Sequence, residues 1–208
     1  MRKIAAGIAA ASAIALSAGA VAPAAMAADE GTKSLAAVLT ATTPKFDKNW
    51  NDYDIVTAAV LAVLDAKPNS TVGVLTKGDV ALTAFIPNDK AFQTLVNDLT
   101  GTKPSTEAKT FAAVAGLGGI DLVETVLLYH VVPGATIDAK TALKADDVYL
   151  ETGVRAIQVN VKKGPVIRLK DADSGARNAQ VNVTDINKGN KQIAHGIDRV
   201  MRPVKLSK

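Results

Sequence analysis

The chain has 208 residues, of which 48% are hydrophobic and 21% charged, with no cysteine and a formal net charge of +4. The lack of cysteine excludes disulfide bonds, thiolate metal ligands, a cysteine nucleophile and a lipid-modified N-terminal cysteine. No stripe of Lys and Arg with interleaved aromatic residues is present, so we expect no nucleic-acid partner.

Residues 1–27 have the form of a secretory signal peptide. Arg2 and Lys3 form a positive start, an Ala-rich uncharged run follows, and Ala25-Met26-Ala27 fits a cleavage site. A membrane anchor is the alternative, but an Ala-rich run is a weak membrane span. We expect cleavage after Ala27 and a secreted, extracellular protein, with association to a cell wall as a further option. We expect no integral membrane anchor, because no later run approaches the ~20 apolar residues of a membrane helix.

Residues 28–50 are weakly patterned and predict a loosely attached N-terminal extension. A short helix around Leu35, Val38 and Leu39 is the alternative within it. The remaining length suffices for one domain with its own core.

The first half of the domain predicts helices around one buried strand. A helix opens at Asp52 or Tyr53 and ends at Lys67-Pro68-Asn69. The run "ALTAFI" at 81–86 predicts a buried strand, and Asn88 then caps a second helix. The apolar stripe of this second helix consists of Phe92, Leu95, Val96 and Leu99.

Two further helices are predicted before residue 131. One is capped near Ser105 or Thr106 and ends at Gly118-Gly119, and the next opens at Asp121 with Glu124 as in a capping box. His130 lies on the apolar face of the last turn, where carbonyl groups lack partners. A neutral imidazole offers one donor and one acceptor, so we expect His130 to be buried and structural. Tyr129 points about 100° away around the helix, and we expect it to be the more exposed of the two.

The second half of the domain predicts a β-meander. Apolar residues alternate with polar ones around 157–161, 167–169 and 181–183, and residues 193–200 predict a last strand. A short helix at 138–143 precedes these strands. Helices followed by strands indicate an α+β domain.

Motifs for catalysis or metal binding are not visible. No G-x-S-x-G, H-E-x-x-H or glycine-rich phosphate loop occurs, and the two histidines, His130 and His195, are distant in sequence. The stretch Asp171 to Gly175 faintly resembles a calcium loop but lacks its closing Glu, and a hairpin turn is the better interpretation. We therefore expect no catalytic residue, no metal and no cofactor. A hydrolase that uses carboxylates brought together by folding stays open as an alternative, because a sequence does not show which carboxylates converge.

Three stretches together resemble the signatures of the fasciclin domain. They are "LTAFIPNDKAFQTL", "VLLYHVVPG" and "IAHGIDRVMRP", in this order. Residues matching the family pattern are Thr83, Phe85, Pro87, Ala91, Phe92, Tyr129, His130, Gly134, His195, Ile197, Asp198, Val200 and Pro203. Lys191-Gln192 stands where the family usually has Asn-Gly, and Ala194 and Gly196 replace larger apolar residues, so the loop before the last strand is expected to differ.

The resemblance implies a fasciclin domain at residues 51–205, with a wedge or sandwich of two β-sheets and a cluster of helices from the N-terminal half. It also implies a non-enzymatic adhesion module, and the Ala-rich signal peptide and lack of cysteine indicate a bacterial one. In animal members that bind integrins, the Tyr-His region and an Asp-Ile pair are implicated. The corresponding partner-binding residues here are Tyr129, His130, Asp185 and Ile186, although a structural role for Asp185-Ile186 is the favoured interpretation.

The expected partner is a protein or a cell-surface or extracellular-matrix component, bound by a monomer. Two alternatives stay open. One is a secreted binder of a small apolar or lipid-like ligand between the helices and the sheet, and the other, less favoured, is a hydrolase.

Overall fold

The computed structural model describes residues 30–42 and 46–206, so the predicted signal peptide at 1–27 lies outside the described residues. Helices precede most strands along the chain, as expected for an α+β domain. The helices are α1 Leu35–Thr42, α2 Asp54–Ala66, α3 Asp89–Thr100, α4 Glu107–Tyr129 and α5 Ala139–Ala142, with a short 3-10 helix at Thr71–Thr76. The strands are β1 Leu82–Pro87, β2 Val131–Pro133, β3 Tyr149–Leu150, β4 Ile157–Lys162, β5 Val166–Lys170, β6 Ala179–Ile186 and β7 Gln192–Ile197.

The described strands form one seven-stranded mixed sheet in the order β2-β1-β7-β6-β5-β4-β3. β1 and β7 are parallel, with Thr83 beside Ile193, and the other neighbours are antiparallel. The expected division into two sheets is not confirmed, because β6 pairs with both β5 and β7 and so joins the two halves.

Two hydrophobic clusters form the core. One packs α1 to α4 against β1 and β7, with Ile55, Val63 and Phe92 among its members. The other contains Val132 from β2 and Val159 from β4, although these strands stand far apart in the strand order. The sheet must therefore curve around the second cluster, since strands near both of its ends contribute to the same core.

The N-terminal segment is attached more firmly than expected. In α1, Leu35 and Leu39 are buried in the first cluster. The backbone N–H of Leu35 also donates to the Gln192 side chain at 2.8 Å. The prediction of loose attachment is therefore wrong for residues 35–42, and the alternative of a short helix is confirmed, because two leucines on one face of that helix bury apolar surface in the core.

The helix α4 covers the two helices predicted at 104–130. Gly118 and Gly119 interrupt it with non-helical backbone angles, and Thr106 caps its start by accepting from the N–H of Lys109. The expected capping box at Asp121 is replaced by a tertiary contact, because the Glu124 carboxylate accepts from Lys67 and Ser70. By length and composition alone α4 could cross a membrane, contrary to the expectation that no run after the signal peptide is long enough. Its second half, however, contributes Val123 and Leu127 to the first cluster.

Other local predictions hold. Asn88 caps α3 by accepting from the Ala91 N–H at 2.9 Å. Asp138 caps α5 in the same way through the Thr141 N–H. The last strand is also present, but it ends at Ile197, three residues before the predicted end.

Candidate functional site

His130 occupies the C-cap position of α4 and joins two parts of the backbone. Its Nδ1 lies 2.7 Å from the carbonyl oxygen of Val126, one turn earlier, and its Nε2 accepts from the N–H of Met201 at 2.9 Å. The Met201 N–H can only donate, so Nε2 is unprotonated and Nδ1 carries the proton. Burial lowers the pKa of His130 to about 4, which keeps the ring neutral at pH 7. The prediction that His130 is buried and structural is confirmed, and its second partner is the C-terminal segment at Met201.

Tyr129 is fully buried, whereas His130 retains 4% exposure. The prediction that Tyr129 is the more exposed residue is therefore wrong. Its ring belongs to the second core cluster and lies edge-on to His130, with 6.4 Å between ring centroids. Burial, followed by the nearby negative charge of Asp171, raises the pKa of the Tyr129 hydroxyl. In this conformation neither residue presents a surface to a partner.

Asp185 organises the end of β6. Its backbone has a positive φ of 59°, and its carboxylate accepts from the Ala139 N–H at 2.7 Å and from the Lys188 ammonium at 2.8 Å. Partial burial alone would raise the pKa of Asp185, but the hydrogen bonds from Lys188 and Ala139 together outweigh it and lower that pKa. Ile186 pairs with Ala194 of β7 and packs against the first core cluster. Both residues have structural contacts, as the favoured interpretation predicted, and their binding role stays a prediction.

His195 is the second buried bridge. Its Nδ1 accepts from the Asp185 N–H at 3.3 Å, and its Nε2 donates to the carbonyl of Ile137 at 2.8 Å. Each of the two histidines thus has both ring nitrogens bonded to backbone groups. A general base needs a free nitrogen within reach of a substrate proton, and neither ring offers one in this arrangement.

The outer face of the meander carries an exposed aromatic ring and exposed basic side chains. Tyr149, Gln158 and Lys170 stand side by side across β3, β4 and β5. Tyr149 is 64% exposed, the highest value among the exposed large hydrophobic residues of the described chain. These three residues and Arg155 line a shallow pocket of about 150 Å³. An adjoining pocket of about 340 Å³ is lined by Arg168 and Lys170. The period-two alternation of β4 and β5 was visible in the sequence. The sequence did not show which exposed residues of neighbouring strands lie side by side, because that depends on the strand register.

The apolar cavities are smaller than usual ligand pockets, and the small-ligand alternative stays a prediction. The cavity between the helices and the sheet measures about 20 Å³. A larger one of about 160 Å³ lies among α2, α3 and α4, lined by Phe92, Leu95 and other apolar residues. Ligand pockets usually measure about 300–1,000 Å³ and contain a few placed polar groups. Both cavities are smaller, and the side chains that line the larger one provide no such group.

Comparison with known proteins places this arrangement in a family. A model of the fasciclin domain matches residues 56–203, more than half of the chain. The chain belongs to the fasciclin domain family. The structure of a FAS1 domain pair from the insect cell adhesion molecule Fasciclin I is similar in fold, with a TM-score of 0.51 and 17% sequence identity. The alignment covers 71% of this chain and 46% of that one, so this chain spans less than half of the insect pair. A comparison with curated proteins gives no match.

Family membership supports a general interaction role, since fasciclin domains are adhesion-type modules that occur in extracellular or secreted proteins and are generally non-enzymatic. The departures from the fasciclin pattern have structural consequences here. Gln192 is buried and donates to the carbonyls of Val74 and Lys77 at 2.8 and 2.7 Å. Gly196 leaves the space that the Tyr53 hydroxyl fills, since a Cβ there would collide with it.

Proposed function

We propose that this chain is a secreted, non-enzymatic fasciclin module that binds a protein or a cell-surface or matrix polymer. The observation that carries the proposal is the match of the fasciclin domain model to residues 56–203, together with a fold similar to a domain pair of a cell adhesion molecule. The engagement of both histidines by backbone groups disfavours hydrolysis by a histidine base.

The outer face of β3, β4 and β5 is the proposed contact surface. An aromatic ring that is 64% exposed at Tyr149 costs little to order on binding and offers a large contact area. Lys170 and Arg168 are exposed on the same face of β5. Basic groups beside an aromatic ring suit a partner that carries acidic groups, such as an acidic polymer or an acidic protein segment.

The resemblance implied four partner-binding residues: Tyr129, His130, Asp185 and Ile186. We propose that these residues affect binding by holding the fold. His130 anchors the C-terminal segment at Met201, and Asp185 fixes the start of α5 at Ala139. Because Tyr129 and His130 are buried, we propose that replacing them alters binding only as far as it alters the fold. Replacing both Asp185 and Ile186 tests the remaining pair: loss of attachment at an unchanged melting temperature would make them direct contacts.

Attachment of the purified chain to cell-envelope and matrix fractions tests the contact surface. We expect the double variant Tyr149→Ala/Lys170→Ala to lose at least about tenfold in affinity, since exposed aromatic and basic residues dominate many interfaces. The matched control, Leu61→Ala/Lys77→Ala, removes an exposed apolar and an exposed basic side chain on the helical side. Equal losses in both variants, or none in either, would show that β3 to β5 do not form the contact surface.

Secretion is tested separately by mass spectrometry of the culture medium. We expect a chain that starts at Ala28. A full-length product retained in the membrane would contradict this part of the proposal without affecting the contact surface.

A further inference from the structure

Five carboxylates gather where three helices begin. Asp54, Asp89 and Glu107 are the first residues of α2, α3 and α4, and Asp47 and Asp52 come from the segment before α2. One carboxylate oxygen from each of Asp47, Asp54 and Glu107 lies within 4.8 Å of the other two, and the same holds for Asp52, Asp89 and Glu107. Glu107 thus belongs to both groups, which together we call the acidic cluster.

One member of the acidic cluster has a structural explanation. The Asp89 carboxylate accepts from the N–H groups of Ile55 at 2.8 Å and of Asp54 at 3.2 Å. It therefore caps α2 from the start of α3. The other buried members need a different partner.

Asp54 and Glu107 provide the observation that points to a ligand. Asp54 is 4% exposed, and neither of its carboxylate oxygens has a hydrogen-bond partner. Glu107 is fully buried; its Oε2 accepts from the Asp47 N–H at 2.6 Å, and its Oε1 has no hydrogen-bond partner. Among residues 30–42 and 46–206, no Lys, Arg or His forms an ion pair with any of the five carboxylates. Burying an ionised carboxylate without a partner is costly, so the oxygens of Asp54 and Glu107 favour a positively charged ligand.

We infer that the acidic cluster is a binding site for a divalent cation, and specifically for calcium. Calcium takes 6–8 oxygen ligands at about 2.3–2.6 Å in a flexible geometry, which suits several carboxylates from different segments. Magnesium requires about 2.0–2.1 Å and a regular octahedron and usually keeps several waters, so a site made of many protein carboxylates suits it less. An all-carboxylate donor set is also unsuited to softer metals, which prefer imidazole or thiolate ligands.

Burial and mutual repulsion raise the pKa of two members of the acidic cluster. Burial, reinforced by the neighbouring Asp52 and Asp47, raises the pKa of Asp54 to about 6, and burial together with Asp52 raises that of Asp89 to about 9.

The ion would fasten the segment before α2 to three helices. Phe46 already packs against Phe111 of α4, with 5.7 Å between ring centroids, and the carbonyl of Trp50 accepts from the Lys90 N–H at 2.9 Å. Asp47 and Asp52 flank Trp50 in this segment. Calcium would thus act as a clamp in a chain that has no disulfide bonds.

Titration of the purified chain with calcium tests the inference, and Trp50, the single tryptophan, reports on the site. Calcium should change Trp50 fluorescence along a one-site isotherm. At calcium a hundredfold above its dissociation constant, the melting temperature should rise by about 5–10 °C relative to excess chelator. Terbium, a luminescent calcium analogue, should be sensitised by Trp50 and displaced by calcium.

The variant Asp54→Asn/Glu107→Gln should lose all three responses, and without calcium it should melt no lower than the wild type. The control Asp65→Asn/Asp79→Asn removes two exposed carboxylates and should keep them. If the double variant does not fold, Asp54→Asn alone should weaken terbium binding at least tenfold. No saturable response up to about 10 mM calcium, beyond the range of extracellular calcium modules, would overturn the inference and leave a proton-sharing cluster. An equal response to magnesium would overturn the assignment to calcium.

Discussion

The neutral ring of His130 bonds two backbone groups, the carbonyl of Val126 and the N–H of Met201, and this role depends on pH. Its pKa is about 4 in the folded chain because burial disfavours the charged form, against about 6.5 when unfolded. Between these values the unfolded state binds more protons. The stability that neutral His130 provides is therefore complete above pH 6.5 and is lost as the pH falls toward 4, by about 3 kcal/mol.

The variant His130→Leu tests this linkage. It should be less stable than the wild type at pH 7, because the Met201 N–H loses its acceptor. The difference between the two free energies of unfolding should narrow by about 3 kcal/mol between pH 7 and pH 4. Urea unfolding at four or five pH values measures it. A constant difference across this range would mean that His130 titrates equally in the folded and unfolded states.

Among the residues that depart from the fasciclin pattern, Gln192 forms the most side-chain hydrogen bonds, and its side chain is buried. It accepts from Leu35 and donates to Val74 and Lys77, so it connects α1 and the 3-10 helix to β7. Gln192→Ala should cost about 3 kcal/mol or more, since several buried backbone groups lose their partner. Lys191→Ala, next to it, should stay within about 0.5 kcal/mol. Equal midpoints of chemical unfolding for both variants would disprove this role.

At the scale of the element, the sequence predicted helix and strand positions well and the surroundings of helix ends less well. The apolar stripe that ends at His130 identified the face of α4 that meets the first cluster, which contains Val123 and Leu127. Tyr129 points away from that stripe, so it was expected at the surface. The second cluster covers that side of the helix end and buries the ring. A helix pattern shows one buried face, but a second core made by distant strands leaves no trace in it.

The break in α4 at Gly118 and Gly119 predicts opposite effects for two Gly→Ala variants. Gly119 has a φ of 68° and a ψ of −167°, a region that residues with a side chain hardly adopt, whereas Gly116 lies in the regular helix with open space around it. Gly119→Ala should destabilise the domain by about 1–3 kcal/mol. Gly116→Ala should stabilise it by about 0.4–1 kcal/mol. Thermal unfolding of the two variants compares them directly, and a stabilising Gly119→Ala would indicate that the break is not fixed.

At the scale of the whole molecule, the α+β class was predictable because helical and alternating patterns separate along the chain. The single curved sheet was not, because it depends on β6 pairing with both β5 and β7 through irregular register. The acidic cluster was equally hidden. Its members Asp47 and Glu107 are 60 residues apart and meet only when α2, α3 and α4 start at the same place.

The N-terminal segment decides how large the folding unit is. The fasciclin domain model begins at residue 56, and the sequence placed the domain start at 51, but Leu35 and Leu39 are core residues. A chain that starts at Phe46 loses both leucines and the Gln192 bond to Leu35, so it should lose about 4 kcal/mol or more of stability. A chain that starts at Glu30 keeps every described contact and should match the mature protein in urea. Leu35→Ala in the mature chain separates packing from truncation and should account for about 2–5 kcal/mol. If the chain from Phe46 unfolds at the same urea concentration as the chain from Glu30, residues 30–42 contribute nothing to the fold, and the boundary at 51 is the right one.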